Sequence, residues 1–101
     1  MSDREKATAS AFMTHEVGLH ARPSVKLTKL AKTFPAGIQL ALSEEGPWID
    51  AKSIVRVMAF QAPQNTMLYF RAVGDRAEEA LAALVKLVED DFEVEVGGES
   101  A

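Results

Sequence analysis

Apolar residues recur at every second position in three stretches of the chain. The repeat is weak over residues 7–13, clear over residues 38–42, where Ile38, Leu40 and Leu42 alternate with polar or small residues, and clear again over residues 66–73. A two-residue repeat is the period of a strand that buries one face, so each stretch predicts a strand. Turn-forming residues at 44–47 precede Trp48 and Ile49, which predict a short return strand.

Two other stretches have the helical repeat. Apolar residues at positions 27, 30, 31 and 34 predict a helix within residues 20–34, with Pro23 in its first turn and Pro35 beyond its end. A second helix is predicted over about residues 77–88, with Asp75 as the expected side-chain cap. The segment from Ser53 to Phe60 fits either a strand or a short helix, because its β-branched residues favour the first and its position favours the second.

The predicted order is therefore strand, helix, strand, strand, short helix or strand, strand and long helix. Two strands joined by a helix, with a gap between them that a later strand fills, are typical of a split βαβ arrangement. The pattern predicts an α+β fold in which the helices cover one face of a single sheet.

Composition narrows the classes of function. The chain has 101 residues, no cysteine and a formal net charge of −4. A chain of this length is enough for one domain with one core. The lack of cysteine excludes disulfide scaffolds, zinc–thiolate sites and cysteine nucleophiles. The acidic balance does not favour nucleic-acid binding, and a charged N-terminal segment without any long apolar run predicts a cytoplasmic protein with no membrane insertion.

The segment from Gly18 to Pro23 has the residues best suited to chemistry. It places His20 at the predicted helix start, where the backbone N–H groups of Ala21 and Arg22 would be available to an anion. The guanidinium of Arg22 suits a phosphate, and a neutral imidazole can carry a phosphoryl group on nitrogen. From these residues alone, both a phosphoryl site and an ordinary capping or surface histidine remain open.

Two motifs then point to a family. The segment Gly18-Leu19-His20-Ala21-Arg22-Pro23 resembles the active-site motif of HPr, the histidine-containing phosphocarrier of the bacterial phosphoenolpyruvate:sugar phosphotransferase system. The segment Lys52-Ser53-Ile54-Val55-Arg56-Val57-Met58 resembles the second motif of that family. The resemblance implies an HPr-like open-faced βαββαβα sandwich, with a four-stranded antiparallel sheet in the order 1-4-2-3. It also implies an HPr domain at residues 7–92, with flexible termini at residues 1–6 and 93–101.

The resemblance assigns roles to three residues. His20 matches the histidine that accepts a phosphoryl group on Nδ1 from phospho-enzyme I and passes it to an enzyme IIA domain. Arg22 matches the arginine that pairs with the phosphate and with partner carboxylates, and Ser53 matches the serine that HPr kinase/phosphorylase modifies in many bacteria. The chain is thus expected to be a covalent carrier and not a stand-alone catalyst, without a cofactor and as a monomer.

Charge distribution predicts where partners dock. Residues 20–34 contain four basic side chains and no acidic one, whereas residues 89–101 contain six acids and no base. A basic face around the His20 helix would orient an acidic partner and speed its association. In HPr the residues that match Ile54, Val55 and Met58 form the apolar centre of that interface. The predicted docking patch consists of Ala21, Val25, Lys29, Lys32, Lys52, Ile54, Val55, Arg56 and Met58.

Alternatives to a sugar-system phosphocarrier remain open. One is a regulatory paralogue that serves a nitrogen phosphotransferase system or a dihydroxyacetone kinase. Another is an interaction module whose His20 corner binds a free anion without covalent modification. A metal site at His15 and His20 is not expected, because a third fixed ligand is missing. The segment after the short helix departs from many HPr sequences by lacking a glycine, and Pro63 is expected to end that helix.

Overall fold

The computed structural model describes residues 6–14 and 21–93. Their elements follow the predicted order βαββαβα, and the ambiguous fifth element is a helix. The bounds are β1 Lys6–Met13, α1 Ala21–Lys32, β2 Gly37–Ala41, β3 Ile49–Asp50, α2 Ile54–Phe60, β4 Thr66–Val73 and α3 Ala77–Glu89.

All four strands form one antiparallel sheet in the order β1-β4-β2-β3, which confirms the predicted order 1-4-2-3. Strand β4 lies between β1 and β2, so that Phe70 is paired with Ala9 on one side and with Leu40 on the other. Alternation along β4 separates the two faces of the sheet. Leu68 and Phe70 are buried under the helices, whereas Arg71 is exposed on the opposite, open face.

The core lies between the sheet and the helices. Strands contribute Phe70 and Leu40, α1 contributes Leu27, and α3 contributes Leu84 and Leu87, each at most 1% exposed. Burying one such side chain stabilises a fold by about 1.5–3 kcal/mol. The 3.6-residue spacing of the apolar positions in α1 and α3 therefore fixes which face of each helix turns toward the sheet.

Two strand predictions are wrong in detail. Leu42 was expected to continue the buried face of the second strand, but β2 ends at Ala41 and Leu42 is 41% exposed in the turn that follows. The short return strand is Ile49–Asp50 rather than Trp48 and Ile49. The Trp48 ring lies beneath the Arg71 guanidinium, 4.2 Å from ring centroid to Cζ. A cation–π contact of this kind explains a large aromatic side chain outside the core.

Two helix-end predictions are also wrong. Asp75 was expected to cap α3, but the N-cap residue is Arg76, in the left-handed conformation and without a side-chain cap. Arg76 instead donates to both carboxylate oxygens of Glu79, at 2.9 and 2.8 Å. Helix α2 ends before Pro63, because Gln61 adopts the left-handed conformation with φ of 55° and closes the helix there.

No helix among the described residues is long and apolar enough to span a membrane.

Candidate phosphoryl site and docking patch

Helix α1 begins at Ala21, the residue directly after His20 in the chain. His20 and His15 themselves lie outside the described residues. The first turn of α1 contains no acidic residue, and both Ala21 and Arg22 are exposed. The first N–H groups of a helix have no partner within the helix and carry partial positive charge. The start of α1 is therefore suited to an anion, and the roles predicted for Ala21 and Arg22 stay predictions.

The turn that follows α3, residues 91–93, lies opposite the first half of α1. A cavity of about 390 Å³ separates the two helix ends, and it is lined by Arg22, Pro23, Lys26, Asp91, Phe92 and Glu93. Lys26 Nζ donates a hydrogen bond of 2.6 Å to the carbonyl oxygen of Phe92. This bond joins the turn after α3 to the first half of α1. Basic side chains of α1 and acidic side chains of that turn line the same cavity.

Ser53 is the N-cap residue of α2. Its Oγ accepts a 3.2 Å hydrogen bond from the backbone N–H of Arg56, and its carbonyl oxygen accepts from the N–H of Val57 at 2.9 Å. The backbone of Ser53 is extended, with φ of −102° and ψ of 111°, as an N-cap residue requires. Val57 is the fully buried residue of α2 and packs into the core. The Ser53 cap therefore holds the first turn of α2, and Val57 anchors the helix to the rest of the protein.

The remaining residues of the docking patch lie on α1, on α2 and just before α2. The two helices pack against each other, and each exposes apolar side chains: Val25 is 43%, Val55 73% and Met58 43% exposed. Exposed aliphatic side chains clustered beside basic ones are typical of contact surfaces. Ala21, Lys29, Lys32 and Arg56 are exposed and Ile54 is half-buried.

Lys52 has a structural role that its place in the motif did not indicate. Its Nζ donates a 2.7 Å hydrogen bond to the carbonyl oxygen of Phe34, just beyond the end of α1. The half-buried side chain thus ties the start of α2 to the end of α1. Lys52 therefore supports the arrangement of the patch as well as its charge.

The contact between Lys26 and Phe92 was not predicted from the sequence. The signal was present, since Phe92 is a lone aromatic residue in an acidic stretch, and the structure buries it to 3% exposure. The acidic residues on both sides of Phe92 suggested a solvated segment instead of a buried one. No group of three metal-ligating side chains occurs within residues 6–14 and 21–93.

The fold places a helix start that is suited to an anion beside two helices with exposed apolar and basic side chains, an arrangement compatible with a small phosphoryl-carrying protein. Residues 7–90 match the family model described as the PTS HPr component phosphorylation site. The chain belongs to the HPr family, the phosphocarriers of the phosphotransferase system.

Individual relatives agree with this assignment. Phosphocarrier protein NPr of Escherichia coli K12 is 32% identical over 81 residues, which cover 80% of this chain and 89% of that protein. Phosphocarrier protein HPr of Pseudomonas aeruginosa is 34% identical over 79 residues, covering 78% and 87%. The crystal structure of HPr-C-His from Thermoanaerobacter tengcongensis has a TM-score of 0.79 and 31% identity, covering 89% of this chain and 99% of that one. HPr-named and NPr-named relatives are similar to nearly the same degree, so these identities do not separate the two branches.

Proposed function

We propose that His20 accepts a phosphoryl group on Nδ1 from phospho-enzyme I and passes it to an enzyme IIA domain. In the loading step the Nδ1 lone pair forms a bond to phosphorus, and the bond between phosphorus and enzyme I breaks. Unloading repeats the exchange, with the nucleophile of the acceptor replacing Nδ1. The observation that carries this proposal is that α1 starts at the residue after His20, within the segment that the family model matches.

Arg22 and the first turn of α1 hold the transferred group in this proposal. The guanidinium of Arg22 is exposed at the cavity and has two N–H edges that can pair with phosphate oxygens. The backbone N–H groups of Ala21 and Arg22 add donors at the positive end of the helix. Pro23 has no N–H, and its fixed φ suits the first turn of a helix.

The docking patch meets both partners, one after the other. Its exposed aliphatic side chains on α1 and α2 form the apolar contact, and Arg22, Lys29, Lys32 and Arg56 orient an acidic surface. A carrier must release one partner before it binds the next. Modest affinity and electrostatically steered association fit that requirement better than a large apolar interface.

Ser53 is proposed as the regulatory site, modified by a cognate HPr kinase/phosphorylase. A phosphoryl group on its Oγ would add nearly two negative charges next to Arg56, beside a patch whose charged side chains are all positive. Phosphorylation of Ser53 would therefore weaken docking with enzyme I. The proposed functional unit is residues 7–92, acting as a cytoplasmic monomer.

Intact-mass spectrometry after incubation with phosphoenolpyruvate and enzyme I tests the proposal. The wild-type chain and His15→Ala should each gain one acid-labile phosphoryl group, and His20→Ala should gain none. His15→Ala is the matched control, because the chain has two histidines only. An unmodified wild-type mass, under conditions that modify a reference HPr, would support the alternative of a non-covalent anion-binding module.

The branch of the phosphotransferase system needs a separate experiment. A sugar-specific enzyme IIA, a nitrogen-branch enzyme IIA and a dihydroxyacetone kinase phosphoryl acceptor are offered to the phosphorylated chain in parallel. The acceptor that discharges it fastest identifies the branch. The similar identities to HPr and NPr are the reason for carrying the regulatory paralogue as the second candidate.

A further inference from the structure

The sulfur atoms of this chain are those of its four methionines, because the sequence has no cysteine. Peroxides oxidise a methionine thioether to the sulfoxide, which turns a flexible apolar side chain into a polar one. Any sulfur-based response of this protein to peroxides therefore acts through methionine. Met13, Met58 and Met67 belong to the described residues, and each lies in a different environment.

Exposure separates these three methionines. Met13 is fully buried in the core, at the end of β1. Met67 is 37% exposed and is paired with Phe12 of β1 on the open face of the sheet, which is the face opposite the helices. Met58 is 43% exposed on α2. A peroxide in solution can thus reach Met58 and Met67 to a similar degree, whereas the core shields Met13.

Met58 lies in the apolar part of the docking patch. It follows Val55 by three residues, so both side chains lie on one side of α2, where Val55 is 73% exposed. Val57 differs from both, because it is fully buried and packs into the core. A sulfoxide oxygen at Met58 would enter an apolar contact with each partner that docks. Burying a polar group in such a contact opposes association.

We propose that Met58 is a modification site, and that oxidation of its thioether by hydrogen peroxide weakens docking of the phosphotransferase partners. In this step one peroxide oxygen bonds to Sδ, the O–O bond breaks, and the other oxygen leaves as water with both protons. Sulfur is oxidised and the peroxide is reduced. The proposal rests on the proposed function, in which enzyme I and enzyme IIA domains contact the docking patch. Oxidation leaves the His20 imidazole unchanged, so it should act on binding and not on phosphoryl transfer.

Controlled oxidation tests the proposal. Wild type, Met58→Leu and Met67→Leu are each treated with hydrogen peroxide until peptide mapping by mass spectrometry shows oxidation of their exposed methionines and none at Met13. The peroxide is then removed, and the KM and kcat of enzyme I are measured with treated and untreated samples of each chain. Each variant is compared with its own untreated sample, which removes any effect of the substitution itself.

We expect oxidation to raise the KM of enzyme I about fivefold or more for wild type and for Met67→Leu, with kcat unchanged. The KM measured with Met58→Leu should be the same before and after treatment, although its exposed Met67 is oxidised. Incubation of oxidised wild type with methionine sulfoxide reductases and dithiothreitol should restore the original KM. The Tm of oxidised wild type should stay within about 2 °C of the untreated chain, because the modified side chains lie at the surface.

Three results would overturn the proposal. Met58 could remain unmodified under conditions that oxidise Met67, or oxidised wild type could keep its KM. The KM could also rise equally with Met58→Leu, which would assign the effect to another methionine. Failure of the proposed function is a different result and is seen before any peroxide is added, because untreated wild type would then not be phosphorylated.

Discussion

Ser53 has a structural and a proposed regulatory role, and two substitutions separate them. In Ser53→Ala the 3.2 Å bond from the Arg56 N–H to Oγ is lost, which leaves a donor in the first turn of α2 without its cap. Replacing a serine N-cap by alanine costs about 1 kcal/mol. For a domain of this size that free energy corresponds to a fall in Tm of about 4–8 °C. The docking patch itself is not changed by this substitution.

Ser53→Asp should keep the cap of α2 but change the charge beside the docking patch. Aspartate caps a helix as well as serine does, so Tm should stay within about 2 °C of wild type. The substitution adds negative charge beside Arg56 and mimics part of the effect of a phosphoryl group. The rate of phosphorylation by enzyme I should therefore fall several-fold at low salt, and the difference should shrink as salt is raised, because exposed charges are screened.

Thermal denaturation, monitored by circular dichroism, measures Tm. Initial rates of phosphorylation by enzyme I at two salt concentrations measure the effect of charge on docking. Ser10→Ala, an exposed serine on the open face of the sheet, is the control and should change neither. The reasoning is refuted if Ser53→Ala melts like wild type, because the cap would then contribute nothing. It is also refuted if Ser53→Asp is phosphorylated as fast as wild type at low salt, because charge at this position would then not affect docking.

Three further substitutions test the patch, the core and one ion pair. Val55→Ser, at a side chain 73% exposed, should leave the free energy of unfolding within about 0.5 kcal/mol of wild type but raise the KM for enzyme I several-fold; an unchanged KM would remove Val55 from the patch. Leu40→Ala empties a fully buried position and should cost about 2–5 kcal/mol in urea denaturation, and a loss below about 1 kcal/mol would contradict the packing described. Hydrogen bonds from Arg76 hold the pKa of the Glu79 carboxyl below its ordinary value of 4.5, so this pair stabilises the fold at neutral pH and the contribution is lost as pH falls through the lowered pKa. The stability difference between wild type and Glu79→Gln should therefore be present at pH 7 and vanish well below pH 4.5, and a pH-independent difference would contradict this origin.

Much of the fold follows from periodicity. The alternation over residues 66–73 and the helical repeats of α1 and α3 correspond to the buried faces seen in the structure. What periodicity missed depends on backbone conformation. Gln61 and Arg76 adopt left-handed conformations that are uncommon for their residue types. The predicted bounds of α2 and α3 were therefore close to those observed, but Pro63 and Asp75 were wrongly expected to end one helix and cap the other.

The candidate site was only partly accessible to sequence reasoning. The motif drew attention to Ser53 and Val55, and the structure adds that Ser53 is the N-cap residue of α2 and that Val55 is 73% exposed. The contact of Lys26 with Phe92 joins residues 66 positions apart, and no local pattern encodes such a pair. Lys52 was expected at the surface by charge, yet its Nζ bonds to the Phe34 carbonyl because a long aliphatic stem can lie along the protein while its ammonium finds an acceptor.

The most direct test of the carrier role is a discharge measurement. The chain is phosphorylated, separated from enzyme I and phosphoenolpyruvate, and mixed with an equimolar enzyme IIA domain, while mass spectrometry follows both proteins. We predict that each phosphoryl group lost from this chain appears on the enzyme IIA domain, and that the recovered chain can be loaded again. A phosphorylated chain that keeps its group, or releases it only as inorganic phosphate in the presence of each candidate acceptor, would contradict the account.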